Sequence, residues 1–299
     1  MFPKVPDQHK VGQPLIPNGL GVLFVLTTTV YLFSIYFLNR YFTLGLDTSL
    51  NGVSAALTLA VCILFGGFMG LLDDFMDLKW RYKAFMPLIA ALPLMYFALE
   101  GALADPALIR TSIATPFIGN IQFGQAYILL IIPLIVMIVT NTVNQLGGLN
   151  GLETVCPAII IIGLMALSPS YILMLGPLLF WLILAYFNFK GKIVVGNAGS
   201  FAIGITIASF AIISDLKLSL LVSLLPYIFN SAIILIAIFF VRKKARVSFD
   251  GTKLSSENRR SLVTVITYHH PLTERQVVIA ISLIVAFFTL LGGLTQLFS

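Results

Sequence analysis

The chain has 299 residues, of which 59% are apolar and only 10% are charged, and its formal net charge is +6. Soluble globular proteins have about 25% charged residues, so this composition excludes a water-soluble domain and a disordered chain and indicates a polytopic membrane protein. Nucleic acid is not an expected partner, because a nucleic-acid-binding protein needs a dense basic face in water.

Apolar stretches long enough to cross about 30 Å of hydrocarbon recur along the whole chain. They predict an all-α polytopic integral membrane protein with about nine transmembrane helices, folded as one membrane-embedded domain over residues 1–299. In chain order the predicted spans are 18–39, 52–72, 82–99, 124–141, 152–168, 171–189, 200–214, 217–241 and 276–298.

The basic residues predict the orientation of these spans. When alternate loops are counted, 15 of the 18 Lys and Arg residues fall on the side of the N-terminus, and only Arg40, Arg110 and Lys217 fall on the other side. Cytoplasmic loops of membrane proteins carry the excess of Lys and Arg. We therefore expect a multi-pass protein of the cell membrane with its N-terminus in the cytoplasm.

The longest loop on the opposite side is 110–123, RTSIATPFIGNIQF. Its apolar and polar residues alternate around a Gly-Asn pair, Gly119 and Asn120, which predicts a small extracytoplasmic β-hairpin. An irregular loop is the alternative.

The second span ends in LFGGFMGLLDDFMDLKWRYK, with acidic residues at Asp73, Asp74 and Asp77. Residues three and four apart share a helix face, so three acids on one turn would repel one another unless a cation compensates them. Such a site suits Mg²⁺ and phosphates, because hard cations take oxygen ligands. The alternative is an ordinary charged loop at the membrane interface.

A second polar cluster, TNTVNQLGGLNGLE at 140–153, separates two apolar spans. Its asparagines are Asn141, Asn144 and Asn150, and an asparagine offers a carbonyl to a metal and N–H donors to a sugar amide or phosphate. Glycines among them allow a ligand to approach the backbone closely. A helix cap followed by a turn is the alternative.

A third cluster, KGKIVVGNAGSFAIG at 190–204, opens a span. Free backbone N–H groups at a helix N-terminus bind phosphate well, which predicts an anion site at Gly196 and Asn197. The alternative is simple N-capping by Asn197 or Ser200.

The fourth cluster is the longest cytoplasmic segment, 241–276, where Arg242, Lys244 and Arg246 are candidates to hold a pyrophosphate or anionic lipid headgroups. Positive charge of the ordinary cytoplasmic kind is the alternative. The loops that contain the four clusters, 73–83, 142–152, 190–199 and 242–275, all lie on the cytoplasmic face of the predicted topology. This convergence favours a cytoplasm-facing site for phosphate and metal.

Two of these motifs resemble a known family. DDFMDLKWRYK is similar to the DDxxxLxWRxK signature of the polyprenyl-phosphate N-acetylhexosamine-1-phosphate transferases of glycosyltransferase family 4, and NTVNQLGGLNGLE is similar to their NxxNxxxGxNGLE motif. DQHKVGQPLIPNGLG and PLTER also resemble family stretches, so the resemblance covers about residues 7 to 275. It is closest to the archaeal and eukaryotic branch, the UDP-GlcNAc–dolichyl-phosphate GlcNAc-1-phosphotransferases, which are the target of tunicamycin.

This resemblance implies transfer of GlcNAc-1-phosphate from UDP-GlcNAc to a polyprenyl or dolichyl phosphate, in a membrane enzyme that could form a homodimer. It implies that Asp73 and Asp74 position or deprotonate the acceptor phosphate and that Lys83 holds a phosphate. It further implies Mg²⁺, with Mn²⁺ as an alternative, bound at Asn144 and Asn197. Substrate contacts are expected at Asp77, Asn141, Asn150, Glu153, Lys10, Asn18, Arg242, Lys244 and Arg246. Among these, Asn150 is expected to contact the N-acetylhexosamine.

The chain departs from the family pattern at three points. Asn197 stands where the family usually has a metal-binding Asp, and Asn18 stands where it often has Glu. The family usually has ten spans, and this sequence begins just after the expected first one, so we expect either a mis-assigned start or a protein for which nine spans suffice.

These departures leave alternatives to an active GlcNAc-1-phosphate transferase. One is the same chemistry with another UDP-N-acetylhexosamine for cell-surface glycan synthesis. Another is a catalytically impaired homologue that binds lipid phosphate. A transporter is disfavoured, because transporters place buried charge near the bilayer midplane, whereas the charges here crowd one face.

Replacement of the amide by a carboxylate at Asn197 tests its expected metal role. We expect Asn197→Asp to activate at a lower Mg²⁺ concentration than the unmodified chain, because a carboxylate adds a negative charge to the ligand set. A Mg²⁺ titration of transferase activity measures the shift, and an unchanged midpoint would count against Asn197 as a ligand.

Overall fold

The computed structural model describes residues 2–104, 109–115 and 119–298. These residues are mostly helical. The helices are α1 Gly21–Phe42, α2 Ala55–Met76, α3 Trp80–Phe85, α4 Pro87–Ala90, α5 Leu92–Ala104, α6 Ile132–Gln145, α7 Leu152–Leu167, α8 Ile172–Phe189, α9 Gly196–Ile213, α10 Lys217–Ser223, α11 Leu225–Ile236, α12 Leu262–Ile266 and α13 Glu274–Leu294. Short π-helical turns at Tyr127–Ile131 and Ala237–Val241 adjoin α6 and α11, and a 3₁₀ turn at Thr295–Phe298 follows α13.

The described helices confirm a multi-pass membrane architecture. Seven helical segments are long and apolar enough to cross a membrane, and α10 with α11, bent by 55°, makes an eighth if the pair is one span. The third predicted span, 82–99, corresponds to a segment assembled from α3, α4 and α5. The fifth predicted span coincides with α7, which is apolar but has only 16 residues. Nine spans therefore remain a prediction.

Four short antiparallel strand pairs accompany the helices. They are β1 Lys4–Pro6 with β2 Leu15–Pro17, β3 Ser49–Leu50 with β4 Val53–Ser54, β5 Ser112–Thr115 with β6 Gly119–Gln122, and β7 Ser248–Phe249 with β8 Leu254–Ser255. The sequence predicted one hairpin in an otherwise all-α fold, and three further pairs correct that expectation. The strands of these three pairs are only two or three residues long, too short to show a clear alternation of apolar and polar residues.

The hairpin predicted at 110–123 is present as β5 and β6, but its turn was placed wrongly. Gly119 pairs with Thr115 and Asn120 pairs with Ala114, so the Gly-Asn pair begins β6 instead of forming the turn. The residues between the strands, 116–118, lie outside the described part of the chain. The side of the membrane on which this hairpin lies remains a prediction.

Helix α9 is the centre of the bundle, and all of its residues from Ala198 to Ile212 are buried. Glycines let neighbouring helices approach its backbone, as small residues do in membrane proteins. A Cβ at Gly70 of α2 would lie 2.1 Å from the Asn197 carbonyl oxygen, and a Cβ at Gly204 of α9 would lie 2.8 Å from Thr140 Cα in α6. This packing brings the N-terminal end of α9 to the C-terminal ends of α2 and α6.

An ion cluster ties β5 to the turn between α9 and α10, at the opposite end of α9. Asp215 pairs with Arg110 and with Lys217, and the Lys217 ammonium also donates to the Ser112 carbonyl at 3.2 Å. Lys217 is only 7% exposed, and its charge lies 4.4 Å from the centre of the Tyr127 ring. Two of the three basic residues assigned to the outer side thus have structural partners.

Gly70 tests the close approach of α2 to α9. We expect Gly70→Ala to destabilise the fold by about 1–3 kcal/mol, the usual range for overpacking, because the added methyl group meets the backbone of Asn197. Thermal unfolding in detergent measures the effect as a lower Tm.

Gly293→Ala in α13 is the matched control, because the nearest atom to its Cβ is 4.0 Å away. It should leave Tm unchanged or slightly raised, since alanine favours the helix. Equal Tm values for the two variants would contradict the packing described for α2 and α9.

Candidate active site

Asp73 and Lys83 form an ion pair at the C-terminal end of α2. Asp73 is only 4% exposed, and its Oδ1 lies 2.8 Å from the Lys83 ammonium. The same oxygen accepts a hydrogen bond from the Leu78 backbone N–H at 3.0 Å. The other oxygen, Oδ2, is buried and has no hydrogen-bond partner among the described residues. A buried carboxylate therefore keeps one oxygen available to a further cation or donor.

Asp74 lies against the start of α9. Its two carboxylate oxygens accept hydrogen bonds from the backbone N–H groups of Asn197, at 3.0 Å, and Ala198, at 3.1 Å. A negative charge at this position is stabilised by the helix dipole. The sequence predicted that N–H groups here are free to bind a phosphate, or that Asn197 or Ser200 caps them. Both predictions are wrong for these two N–H groups, because they donate to Asp74 of α2.

The three acids do not share a helix face as the sequence predicted. Helix α2 ends at Met76, and Asp77 adopts a left-handed conformation with φ 44°. The Asp77 side chain is fully exposed and lies 3.6 Å from Lys83, so Lys83 is the cation that compensates both Asp73 and Asp77. The spacing argument failed because the helix stops one residue before the third acid.

The second and third clusters meet at the N-terminus of α9. The Asn144 amide nitrogen at the end of α6 donates to Asn197 Oδ1 at 3.3 Å. Asn18 lies at the same place, because a Cβ added to Gly196 would be 2.9 Å from Asp74 Oδ2 and 3.1 Å from Asn18 Oδ1. Gly196 also has φ +71°, which is a second reason for glycine at this position. Four predicted site residues are thus neighbours.

The Asn141 side chain connects α6 to α3. Its amide nitrogen donates to the Met137 carbonyl at 2.8 Å, within α6, and to the Ala84 carbonyl at 3.0 Å, next to Lys83. It therefore holds α3, which contains Lys83, against α6. Its expected contact with substrate stays a prediction.

Asn150 lies on the wall of a separate cavity of about 250 Å³. Its backbone N–H donates to Glu274 Oε1 at 2.8 Å, and its side-chain amide donates to Asp7 Oδ2 at 2.9 Å. Lys10 forms an ion pair with Asp7 at 3.1 Å and donates to the Gly191 carbonyl at 3.1 Å. The cavity is lined by Pro6, Asp7, Gln8, His9, Ile16, Gly148, Leu149, Asn150, Glu153, Asn188 and Val194.

Three residues of this region were missed as site residues from the sequence, namely Asp7, Asn188 and Glu274. Asn188 is 2% exposed, accepts from the Gly151 N–H at 2.8 Å and donates to the Ile193 carbonyl at 2.9 Å. It thus joins the Asn150 loop to the segment before α9. Its signal in the sequence is a lone amide at the end of an apolar span, whereas Asp7 and Glu274 stand inside stretches already noted for their resemblance to the family.

The basic residues Arg242, Lys244 and Arg246 are exposed. Within the described part of the chain, their side chains form no hydrogen bond or ion pair with the other candidate residues. The structure therefore does not join this fourth cluster to the other three, and its expected role stays a prediction.

Asp7, His9 and Glu274 place one possible metal-ligand atom each within 4.8 Å of one another. Both carboxylates already accept hydrogen bonds from Asn150, and Asp7 also pairs with Lys10. These partners account for the closeness of the acids without a metal ion.

Comparison with known proteins matches the sequence of this chain to one family. Residues 55–215 match the model of glycosyl transferase family 4. A protein of Saccharolobus solfataricus with the provisional name UDP-N-acetylglucosamine–dolichyl-phosphate N-acetylglucosaminephosphotransferase is 27% identical over 97% of this chain and 87% of its own length.

Two further relatives have the same substrates in their names. A Sulfolobus acidocaldarius protein, also provisionally named, is 29% identical over 74% of this chain and 66% of its own length. The Dictyostelium discoideum enzyme of that name is 28% identical over 75% of this chain. The alignment spans 62% of that relative, so this chain matches less than two thirds of the second and third relatives.

The ion pair between Asp73 and Lys83 generates a stability prediction. We expect Lys83→Met to lower the free energy of unfolding by about 1–3 kcal/mol, because a buried carboxylate loses its charged partner. Adding Asp73→Asn should recover part of this loss, since the two changes are not additive for residues in contact. Thermal unfolding in detergent measures both effects.

Lys79→Met provides the control, because Lys79 is exposed and its side chain pairs with no described acid. Equal Tm values for the Lys79 and Lys83 variants would show that the pair contributes nothing measurable to stability.

Proposed function

The chain belongs to glycosyl transferase family 4, and we propose that it transfers GlcNAc-1-phosphate from UDP-GlcNAc to a dolichyl or related polyprenyl phosphate. The products would be a GlcNAc-pyrophosphate lipid and UMP. This reaction would be the first step of lipid-linked oligosaccharide assembly for N-glycosylation. The relatives named for this reaction support the proposal. A membrane-embedded fold also suits it, because the acceptor is a lipid.

One observation supports this function more than any other. The Asp73–Lys83 pair and the group formed by Asp74, Asn144 and Asn197 occur at neighbouring ends of α2, α6 and α9. Attack of a lipid phosphate oxygen on the β-phosphorus of the donor needs alignment and charge neutralisation more than covalent help from the protein. A cation and several oxygen ligands at one location provide these requirements.

Lys83 is the proposed contact for the acceptor phosphate. Its side chain is 31% exposed although its ammonium pairs with buried Asp73. A phosphate monoester is already mostly ionised near neutral pH. Asp73 and Asp74 therefore have more to contribute by positioning Lys83 and the start of α9 than by removing a proton.

The cavity beside Asn150 is the proposed place for the uncharged parts of the donor. Its lining combines amides and carboxylates with aliphatic side chains, including Glu153 and Val194. Such a wall suits the hydroxyl and N–H groups of a sugar or nucleoside and repels phosphate. The pyrophosphate would lie toward the exposed Arg242, Lys244 and Arg246.

We also propose that the enzyme uses Mg²⁺, or Mn²⁺ in its place. The residues present fit such an ion. Asn144 has an amide oxygen, and Asn197 Oδ1 keeps a second lone pair beside the bond that it accepts from Asn144. Asp73 Oδ2 is a buried acceptor without a partner among the described residues. Oxygen ligands are those that Mg²⁺ prefers. When bound, the ion would neutralise the pyrophosphate and polarise the phosphorus.

The site is proposed to face the cytoplasm. The support is the bias of 15 of 18 basic residues toward the side that contains the N-terminus and the four polar clusters.

A transferase assay tests the function. Membranes from a host expressing the full chain receive radiolabelled UDP-GlcNAc, dolichyl phosphate and Mg²⁺. We expect a labelled, organic-soluble lipid that tunicamycin or EDTA abolishes. Asp74→Asn should reduce the product by at least about 100-fold, as loss of a preorganised charged group typically does.

Arg40→Gln is the control for expression and insertion, because Arg40 lies at the far end of α1 from the site. It should retain activity. If labelled lipid forms only from another UDP-N-acetylhexosamine, the proposed reaction type stands and the proposed donor sugar is wrong. No product from any donor would contradict the transferase and favour the impaired homologue.

A further inference from the structure

The Asn150 side chain is held by carboxylates from the two ends of the chain. Its Nδ2 donates to Asp7 Oδ2 at 2.9 Å and lies 3.4 Å from Glu274 Oε2, while its backbone N–H donates to Glu274 Oε1 at 2.8 Å. An ionised carboxylate only accepts hydrogen bonds. The amide must therefore turn its nitrogen toward the two acids, because the opposite orientation would set its oxygen against both.

This arrangement leaves the other half of the amide for a ligand. Asn150 lines the cavity of about 250 Å³. Among the hydrogen bonds of the described residues, none involves its Oδ1, whereas its backbone nitrogen and its Nδ2 both donate. Asn150 is therefore available to the cavity as an acceptor.

Two neighbouring groups support this orientation. The Lys10 ammonium lies 3.1 Å from Asp7 Oδ2 and partly neutralises that carboxylate. Asn188 accepts the N–H of Gly151 at 2.8 Å, and this bond fixes the backbone directly after Asn150. Hydrogen bonds thus restrain both the side chain of Asn150 and the backbone next to it.

We propose that Asp7 and Glu274 are positioning residues that fix Asn150 as a hydrogen-bond acceptor and so make the enzyme select an N–H group of its donor substrate. The inference rests on the proposed function. Hydroxyl groups both donate and accept, so they would pair with either orientation of the amide. A fixed acceptor discriminates only between a group that donates and one that does not.

UDP-GlcNAc has two N–H groups that fit this description, the imide N–H of uracil and the N–H of the acetamido group. Each of them offers one hydrogen to a neutral acceptor such as Asn150 Oδ1, so the same cavity chemistry would recognise either group. Two donor analogues separate the sources: UDP-GlcNAc methylated at the uracil N3, and UDP-2-deoxyglucose, which has neither the acetamido N–H nor a hydroxyl donor at that carbon.

The experiment compares these analogues with UDP-GlcNAc in the full-length enzyme and in the variants Glu274→Gln and Asp7→Asn. The unmodified enzyme should prefer UDP-GlcNAc in kcat/KM over one analogue by at least about 100-fold, because that analogue leaves a buried polar group unpaired. Each variant introduces an amide that can donate, so Asn150 is no longer fixed. The preference should fall by at least about tenfold, with a raised KM for UDP-GlcNAc.

The KM for dolichyl phosphate should stay within about twofold, since a change confined to the donor pocket leaves acceptor binding unaltered. A lost preference against the methylated analogue would assign the uracil N–H, and a lost preference against UDP-2-deoxyglucose would assign the acetamido N–H. Either result supports the proposal. Because preference is a ratio measured on one preparation, it does not depend on how much of a variant folds, and the second variant repeats the test.

Glu257→Gln is the matched control, because Glu257 is an exposed acid of the segment between α11 and α13, whereas Glu274 is the first residue of α13. It should leave the preference unchanged. If the variants have lower activity but the same preference for UDP-GlcNAc over the analogues, Asp7 and Glu274 have only a structural role. That result overturns the inference and leaves the proposed function standing. An unmodified enzyme that does not use UDP-GlcNAc overturns the proposed function and the inference together.

Discussion

The contact between the end of α2 and the start of α9 determines the rest of the site. The first turn of a helix leaves backbone N–H groups that need acceptors, and Asp74 supplies two carboxylate oxygens to those of Asn197 and Ala198. Gly70 makes this contact possible, because any side chain there would meet the Asn197 backbone. The same packing brings Asn197 within hydrogen-bond distance of Asn144.

Two adjacent aspartates perform different tasks because consecutive residues on a helix point in different directions. Asp73 turns inward to Lys83, while Asp74 turns to the dipole of α9. Each negative charge therefore has its own compensation, and the two do not compete for one cation. The arrangement keeps a charged lysine accessible beside a preformed group of oxygen ligands, which suits a reaction between two phosphates.

Local patterns predicted the helices better than the turns. The apolar stretches gave the positions of α1, α2 and α8 within a few residues, because burial in hydrocarbon depends on the composition of a continuous segment. The expected common face of Asp73, Asp74 and Asp77 was wrong, since the helix ends at Met76. The Gly-Asn turn was wrong as well, because those residues pair with Thr115 and Ala114 as part of a strand.

The sequence by itself determined that the protein crosses a membrane several times, which family its motifs resemble, and which asparagines and acids are candidates for the site. Hydropathy and motif spacing are properties of neighbouring residues, so they need no knowledge of packing. Only the tertiary structure decided which of these residues meet. Asn150 is 143 residues from Asp7 and 124 from Glu274 in the chain. A hydrogen bond between such distant residues depends on how the helices pack, and local sequence does not record that.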